Sequence, residues 1–584
     1  MPSQMLHRKP IVVGGILLLC CSLPVFSNTP EFAEELFQRA EKLVNTDDMP
    51  SDEDLAQAYE LYKQAADSGH PGSQEAVGLM LLSGVGTEVD VPRGILHLYF
   101  ASAANSTLAQ MALGYRHAFG LGVPKSCQAA VLYYAAPAQA VVRLASRGAP
   151  LPGIERVRLS VDHDTNYNPH REKEMVQYYQ YSADMGNVEA QTAVGQLLNV
   201  GARGMEQDYS QAAHYFLQAA AVGDMDAISH LGHMYANGLG VEADNETALE
   251  YFWRGAEKGH AHALYGLGYM YLAGAGVEKN VLKAQQFFTK AADQGSADAH
   301  FHLGMLQVTG ALGAPDFPKA FHHLSAAGQS AHLLAIYNLA LMQLGGLGVP
   351  VSCPTALALL KSVAERGLWS QVLERAHAHY LRGAPDRAAL EYLRAAEMGL
   401  ELGQSNAAYL LERAGRGDPA RRERALAQAL HYHQRAADQG NVNSLLRIGD
   451  AYYYGRGTPE DLNKSVAVYR QATTMRSAQA MFNLGVLHEH GRGLPQDLHL
   501  AKRYYDMART THPDSAVPVT LALLKLSLHH LYINNREAAH ASAAWVLRNA
   551  EALILVALAG TLGVVLHLRS ARTRRRLAEA ADEQ

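Results

Sequence analysis

Cysteine is scarce in this chain. There are four among 584 residues, and two of them, Cys20 and Cys21, sit together near the start. Only Cys127 and Cys353 lie beyond, too few for a fold stapled by disulfides. Charged residues make up 18% and aromatics 8%, a composition that can bury a core and is not that of a disordered chain. The formal net charge is −6, and no long segment before the C-terminal tail concentrates basic residues, so a nucleic-acid footprint is excluded. Chemistry-bearing motifs are missing too: there is no nucleophile elbow, phosphate-binding glycine loop or Cys/His nucleophile arrangement.

Histidine is the one chemically versatile residue in supply, with 28 copies. It clusters at His322-His323, His377-Ala-His379, His431-Tyr-His433 and His529-His530. None of these has His-Glu-x-x-His spacing, and no Cys or acidic ligand set accompanies them. On a helix, side chains two apart leave the axis about 200° apart and cannot share an ion locally. No metal, cofactor or catalytic residue is expected, and the chain is not expected to be an enzyme.

What is present is a period. A single core stops growing near 250–300 residues, so a chain this long is either several domains or a repeat array. Gly238/Gly240, Gly274/Gly276, Gly310 and Gly346/Gly348 follow one another at 36 residues. Gly84/Gly86 and Gly120/Gly122 share that spacing, as do Gly455/Gly457 and Gly491/Gly493. Gly232, Gly268 and Gly304 form a second series with Ala340 next in line. Such self-similarity predicts a solenoid.

Each unit reads as two helices. The first, in Ala263–Leu272, carries an apolar stripe through Leu264, Leu267, Gly268, Tyr271 and Leu272. Gly268 inside a helix costs roughly 1 kcal/mol against alanine, so its recurrence implies a close helix contact. Gly274 ends this helix, the second runs through Val281–Asp293, and Gly295 ends it. The period fails over 143–173, read as a linker, and the glycine turn is lost over 367–404. Three repeat groups are expected, at 52–142, 174–400 and 405–512.

The repeat unit Ala-x-x-x-Leu-Gly-x-x-Tyr-x-x-Gly-x-Gly-Val resembles the Sel-one-like repeat, a tetratricopeptide-related helix pair. Longer stretches resemble the Sel-one-like adaptor family of the Hrd-type ER ubiquitin ligase. They include Asp208–Phe216, Ala396-Glu-Met-Gly399, Gln404-Ser-Asn406, Ile448-Gly-Asp450, Glu489-His-Gly491, Tyr505–Ala508 and Pro513–Pro518. The resemblance spans roughly residues 55–530. It implies an all-α solenoid that couples a membrane RING-type ubiquitin ligase to ER lectins, chaperones and misfolded clients in ER-associated degradation, with self-association left open. Animal members also carry a fibronectin type II module and a proline-rich tail, and this chain shows neither. A second reading stays open: a membrane-tethered repeat protein of bacterial type. It predicts a catalytic constellation or an N-terminal lipid anchor, and neither is found.

The ends agree with an ER protein. His7, Arg8 and Lys9 precede an apolar run from Ile11 to Leu23, and Val25-Phe26-Ser27 suits cleavage, so 1–27 is expected to be a signal peptide. Residues 552–568 make seventeen residues without Asp, Glu, Lys or Arg, about 25 Å of helix, against an ER core of about 27 Å. Five arginines follow within 569–584, placing that tail in the cytosol by the positive-inside rule. The expected protein is single-pass, with luminal repeats and sequons at Asn105, Asn245 and Asn463.

Candidate binding residues follow from position. Phe119, Tyr454 and His490 each precede a Gly-x-Gly turn and are expected to offer anchors to a partner. The apolar segment 517–533, with Leu521, Leu524 and Leu528, is expected to lie at the membrane interface or in a partner groove. Cys127 and Cys353 each follow Gly-Val-Pro-x-x. At 226 positions apart they are read as small buried apolar residues, since a bridge requires the array to curl back on itself.

Overall fold

A computed structural model describes residues 30–45, 50–147, 151, 157–160, 169–415, 418–534 and 557–571. The expected signal peptide at 1–27 lies outside them. Among the described residues all regular structure is helical. The chain divides into two compact units, 1–414 and 415–584.

The helix-pair unit has the predicted form. Helix Ala261–Ala273 ends at Gly274, whose φ of 78° lets its N–H reach the Met270 carbonyl. Few side chains tolerate that left-handed backbone, which is why glycine recurs there. The next helix, Val281–Ala292, starts where the Asn280 side chain accepts from the Lys283 N–H, satisfying a donor the helix cannot satisfy itself. The mid-helix glycines have the packing reason inferred for them. A Cβ on Gly268 would stand 2.6 Å from Phe288, and one on Gly449 would stand 2.4 Å from Tyr469. The aromatic ring fills the groove that the missing side chain leaves, and the gain in packing offsets the helix-propensity cost.

In the first unit the array returns to its own beginning. Cys127 and Cys353 form a disulfide. This corrects the reading of both as unbridged apolar fillers. Each cysteine is the first residue of its helix, Cys127–Ser146 and Cys353–Ala364, so the two occupy one register in different repeats. The segment that lost its glycine turn is helical, with helices Val372–Leu381, Pro385–Glu397 and Glu401–Leu411. The helix Pro385–Glu397 packs on Pro71–Ser83 in the first repeats. Helices enter the stretch read as a linker, 143–173, from both sides. One helix runs to Ser146, the next starts at Pro169, and Leu159 between them is buried.

The second unit holds helices from Pro419–Asp438 to Leu498–Thr511, then a terminal helix Ala516–Asn534. Residues 557–571 are also helical, with side chains almost all exposed. No helix among the described residues is long and apolar enough to cross a membrane. Part of the 552–568 segment, residues 552–556, lies outside the described residues.

Candidate interaction surfaces

Closure of the first unit is built from buried charge. Glu397, 1% exposed at its side chain, accepts from Arg116 Nη2 at 2.6 Å. Arg116 also donates to the Leu121 carbonyl at 3.1 Å. Beside this pair, Gly399 lies so close to Tyr115 that a Cβ would stand 2.5 Å from it. Arg394 reaches Glu75 at 3.3 Å, and Arg387 donates to the Val44 carbonyl. Arg158 binds Glu401 through both guanidinium nitrogens, at 2.7 and 2.8 Å. Asn406, fully buried, accepts from the Leu159 N–H and donates to the Val157 carbonyl, both at 2.9 Å. These contacts satisfy polar groups that burial would otherwise penalise. Glu397, Gly399 and Asn406 are among the residues that carried the family resemblance. Their part in closure could not be read from a local period.

The terminal helix of the second unit is held by one carboxylate. Glu489 is fully buried and accepts from Tyr505 Oη at 2.8 Å. Its other oxygen faces Lys525 Nζ at 3.1 Å and His529 Nδ1 at 3.6 Å, both on the terminal helix. Burial alone would raise the Glu489 carboxyl, but hydrogen bonds from Tyr505 and Lys525 outweigh it and hold it below the ordinary glutamate range. Val519 and Leu526 pack against Met481, Ala501 and Tyr505. The helix thus buries one apolar face on the last repeat.

Its opposite face is also apolar, and it is exposed. Val517, Leu521, Leu524, Leu528 and Leu531 are each more than half exposed. They are spaced 4, 3, 4 and 3 residues apart, the spacing of a helix-pairing seam. The anchor candidates fare differently. Tyr454 is exposed, with the Arg456 guanidinium 4.7 Å over its ring. His490 is partly exposed but stands 3.1 Å from Lys525, inside the Glu489 cluster. Phe119 is half-buried and packs on Tyr115 with ring centroids 5.0 Å apart. Asn105, Asn245 and Asn463 are all exposed. Within the last sequon Ser465 is buried and donates to the Gly449 carbonyl, so that motif is fully accessible only before the repeat packs.

The fold is therefore a helix-pair solenoid with glycine-mediated packing and an exposed apolar stripe on the helix that follows the last repeat. The Sel1 repeat pattern matches residues 47–136 in three consecutive stretches, 188–224, 226–368 in four, 415–475 in two, and 478–509. This chain belongs to the Sel1 repeat family. It skips 137–187 and 369–414, where the structure places the interruption and the closing helices. The chain is 44% identical over 484 residues to protein sel-1 homolog 2 of Mus musculus, covering 82% of this chain and 70% of that one. The human counterpart gives the same identity and coverage. It is 41% identical over 497 residues to the Arabidopsis thaliana ERAD-associated E3 ubiquitin-protein ligase component HRD3A, covering 82% and 72%.

Proposed function

We propose that this chain is a non-catalytic adaptor of a membrane RING-type ubiquitin ligase in ER-associated degradation. The observation that carries the reading is its similarity, over most of both chains, to a protein named as a component of such a ligase. Within the fold, the exposed Leu521–Leu524–Leu528 stripe supports it, because a row of exposed leucines along one helix face fits an interaction site better than a solvated surface. The stripe docks an apolar groove of the ligase or the membrane interface beside it. The repeats face lectins, chaperones and misfolded clients, with Tyr454 among their anchors. The Cys127–Cys353 bridge favours an oxidising compartment such as the ER lumen. A cleaved signal at 1–27 and a span at 552–568 complete the proposed topology, with 569–584 in the cytosol and glycans on Asn105, Asn245 and Asn463. Affinity purification from membranes in mild detergent tests the proposal. It predicts a stoichiometric RING-type ligase among the partners, and consistent recovery without one contradicts it.

A further inference from the structure

The repeats carry a histidine device that one interface alters. Two first helices of a pair are capped in the same way. His70 Nδ1 accepts from the Ser73 N–H while its Nε2 reaches Glu34 at 3.0 Å. His332 Nδ1 accepts from the Ala335 N–H while its Nε2 reaches Asp298 at 3.3 Å. In both, one ring nitrogen accepts and the other donates, so the neutral imidazole is fully satisfied.

His260 occupies the same capping position and makes no side-chain cap. Its Nδ1 turns to Ser229 Oγ at 2.8 Å, and its Nε2 faces Asp226 Oδ1 at 3.2 Å. His262, two residues on, brings Nδ1 to 4.0 Å from the same carboxylate oxygen. The three ligand atoms lie within 4.8 Å of one another. The rule that side chains two apart diverge fails here because His260 precedes the helix, with extended backbone at φ −69° and ψ 126°. In the sister repeat at Asp298 and His332, the positions of Ser229 and His262 hold Phe301 and Leu334. There Phe301 stacks on His332 with centroids 4.6 Å apart. The second imidazole and the serine occur together only at the altered interface.

We infer that Asp226, His260 and His262 form a site for a divalent transition metal of the zinc class, with a fourth position open to water or a partner side chain. Two imidazoles and a carboxylate are a ligand set suited to Zn²⁺. Tetrahedral ligands about 2.0–2.1 Å from the ion stand about 3.3 Å from one another. Asp226 Oδ1 stands 3.2 Å from His260 and 4.0 Å from His262, so a small inward turn of the exposed His262 completes the geometry. Ser229 supplies the outer support. It lies 2.8 Å from the Met225 carbonyl as well as from His260. With the metal on Nε2, His260 donates Nδ1–H to Ser229, and Ser229 donates its one proton to Met225. Every group is then satisfied, the usual arrangement behind a ligating histidine. Without an ion, a neutral His260 that donates Nε2–H to Asp226 keeps Nδ1 as an acceptor, and the single hydroxyl proton must then serve either His260 or Met225.

The test is a Zn²⁺ titration of the full chain, purified in detergent and stripped with chelator, against a competing chromophoric chelator. Co²⁺ absorption reports tetrahedral geometry. The proposal expects one site whose affinity falls about tenfold or more in Ser229→Ala and further in His262→Leu. His262→Leu installs the residue that the sister repeat already tolerates. Asp298→Asn, at the unaltered interface, should leave that site unchanged. Superimposable titrations for wild type and His262→Leu, or no binding up to millimolar Zn²⁺, overturn it.

Discussion

Replacing Glu397 with alanine should open the first unit at its closure while leaving the rest of the array folded. Arg116 and Glu397 side chains are 5% and 1% exposed and meet at 2.6 Å. An exposed pair is worth about 0–1 kcal/mol, but removing one partner of a buried pair costs about 3–5 kcal/mol because the other charge stays buried alone. Three kcal/mol is a factor of about 150 in an opening equilibrium. Hydrogen exchange in peptides covering 107–121 and 385–411 should therefore accelerate about a hundredfold. Repeats around 230–310 should change little, because solenoid contacts are between neighbours. Glu397→Gln keeps an acceptor and should cost less. Arg116→Met combined with Glu397→Leu should recover most of the protection, since an apolar pair can replace a buried ionic one. As a control, Glu60→Ala breaks an exposed pair with Lys63 and should stay under about 1 kcal/mol. Less than a threefold change in both closure peptides for Glu397→Ala would show that closure does not rest on this pair.

Three further outcomes follow from the same structure. Serine at both Cys127 and Cys353 removes a cross-link over 226 positions, worth at most about 5 kcal/mol by chain entropy, so the first unit should melt lower while retaining its helical content by circular dichroism. Gly268→Leu drives a side chain into Phe288, where even a Cβ would stand 2.6 Å away, so hydrogen exchange should rise over 230–310 before it rises over 450–500, by about 1–3 kcal/mol or more. Glu489 titrates below its ordinary range when folded, so its contribution is complete above the unfolded-state value and is lost as pH falls through the folded one. Wild type should accordingly exceed Glu489→Gln in stability at neutral pH by about 1–3 kcal/mol, and the gap should close on acidification in paired thermal melts.

The repeat and its helix pairing were legible because period and packing are local. Gly268 and Phe288 are twenty residues apart, and the glycine series announces their contact. Closure was not legible. Arg116 and Glu397 are separated by 281 positions, and no periodic signal links them. The disulfide had one clue, the shared Gly-Val-Pro-x-x-Cys register of both cysteines. An elongated solenoid made that register look like mere repetition. The leucine stripe could be read, but its packed face could not. Val519 and Leu526 look no different in sequence from Leu524 and Leu528 until the helix is seated on Tyr505. His260-Ala-His262 was not among the histidine clusters singled out in the sequence, and its carboxylate partner Asp226 lies in the preceding repeat, 34 positions before His260.

The adaptor reading meets its most direct test at the exposed stripe. Leu524 and Leu528 are 60% and 61% exposed, so aspartate at both positions removes no packed side chain. It does put two charges where a partner's apolar groove would have to desolvate them. Leu526→Asp, on the packed face, is the contrasting variant and should unseat the helix. The measurement is co-purification of the RING-type ligase with Leu524→Asp/Leu528→Asp from detergent-solubilised membranes. The account predicts that this double variant stays folded and membrane-bound and loses the ligase, whereas recovery of the ligase at wild-type yield would contradict it.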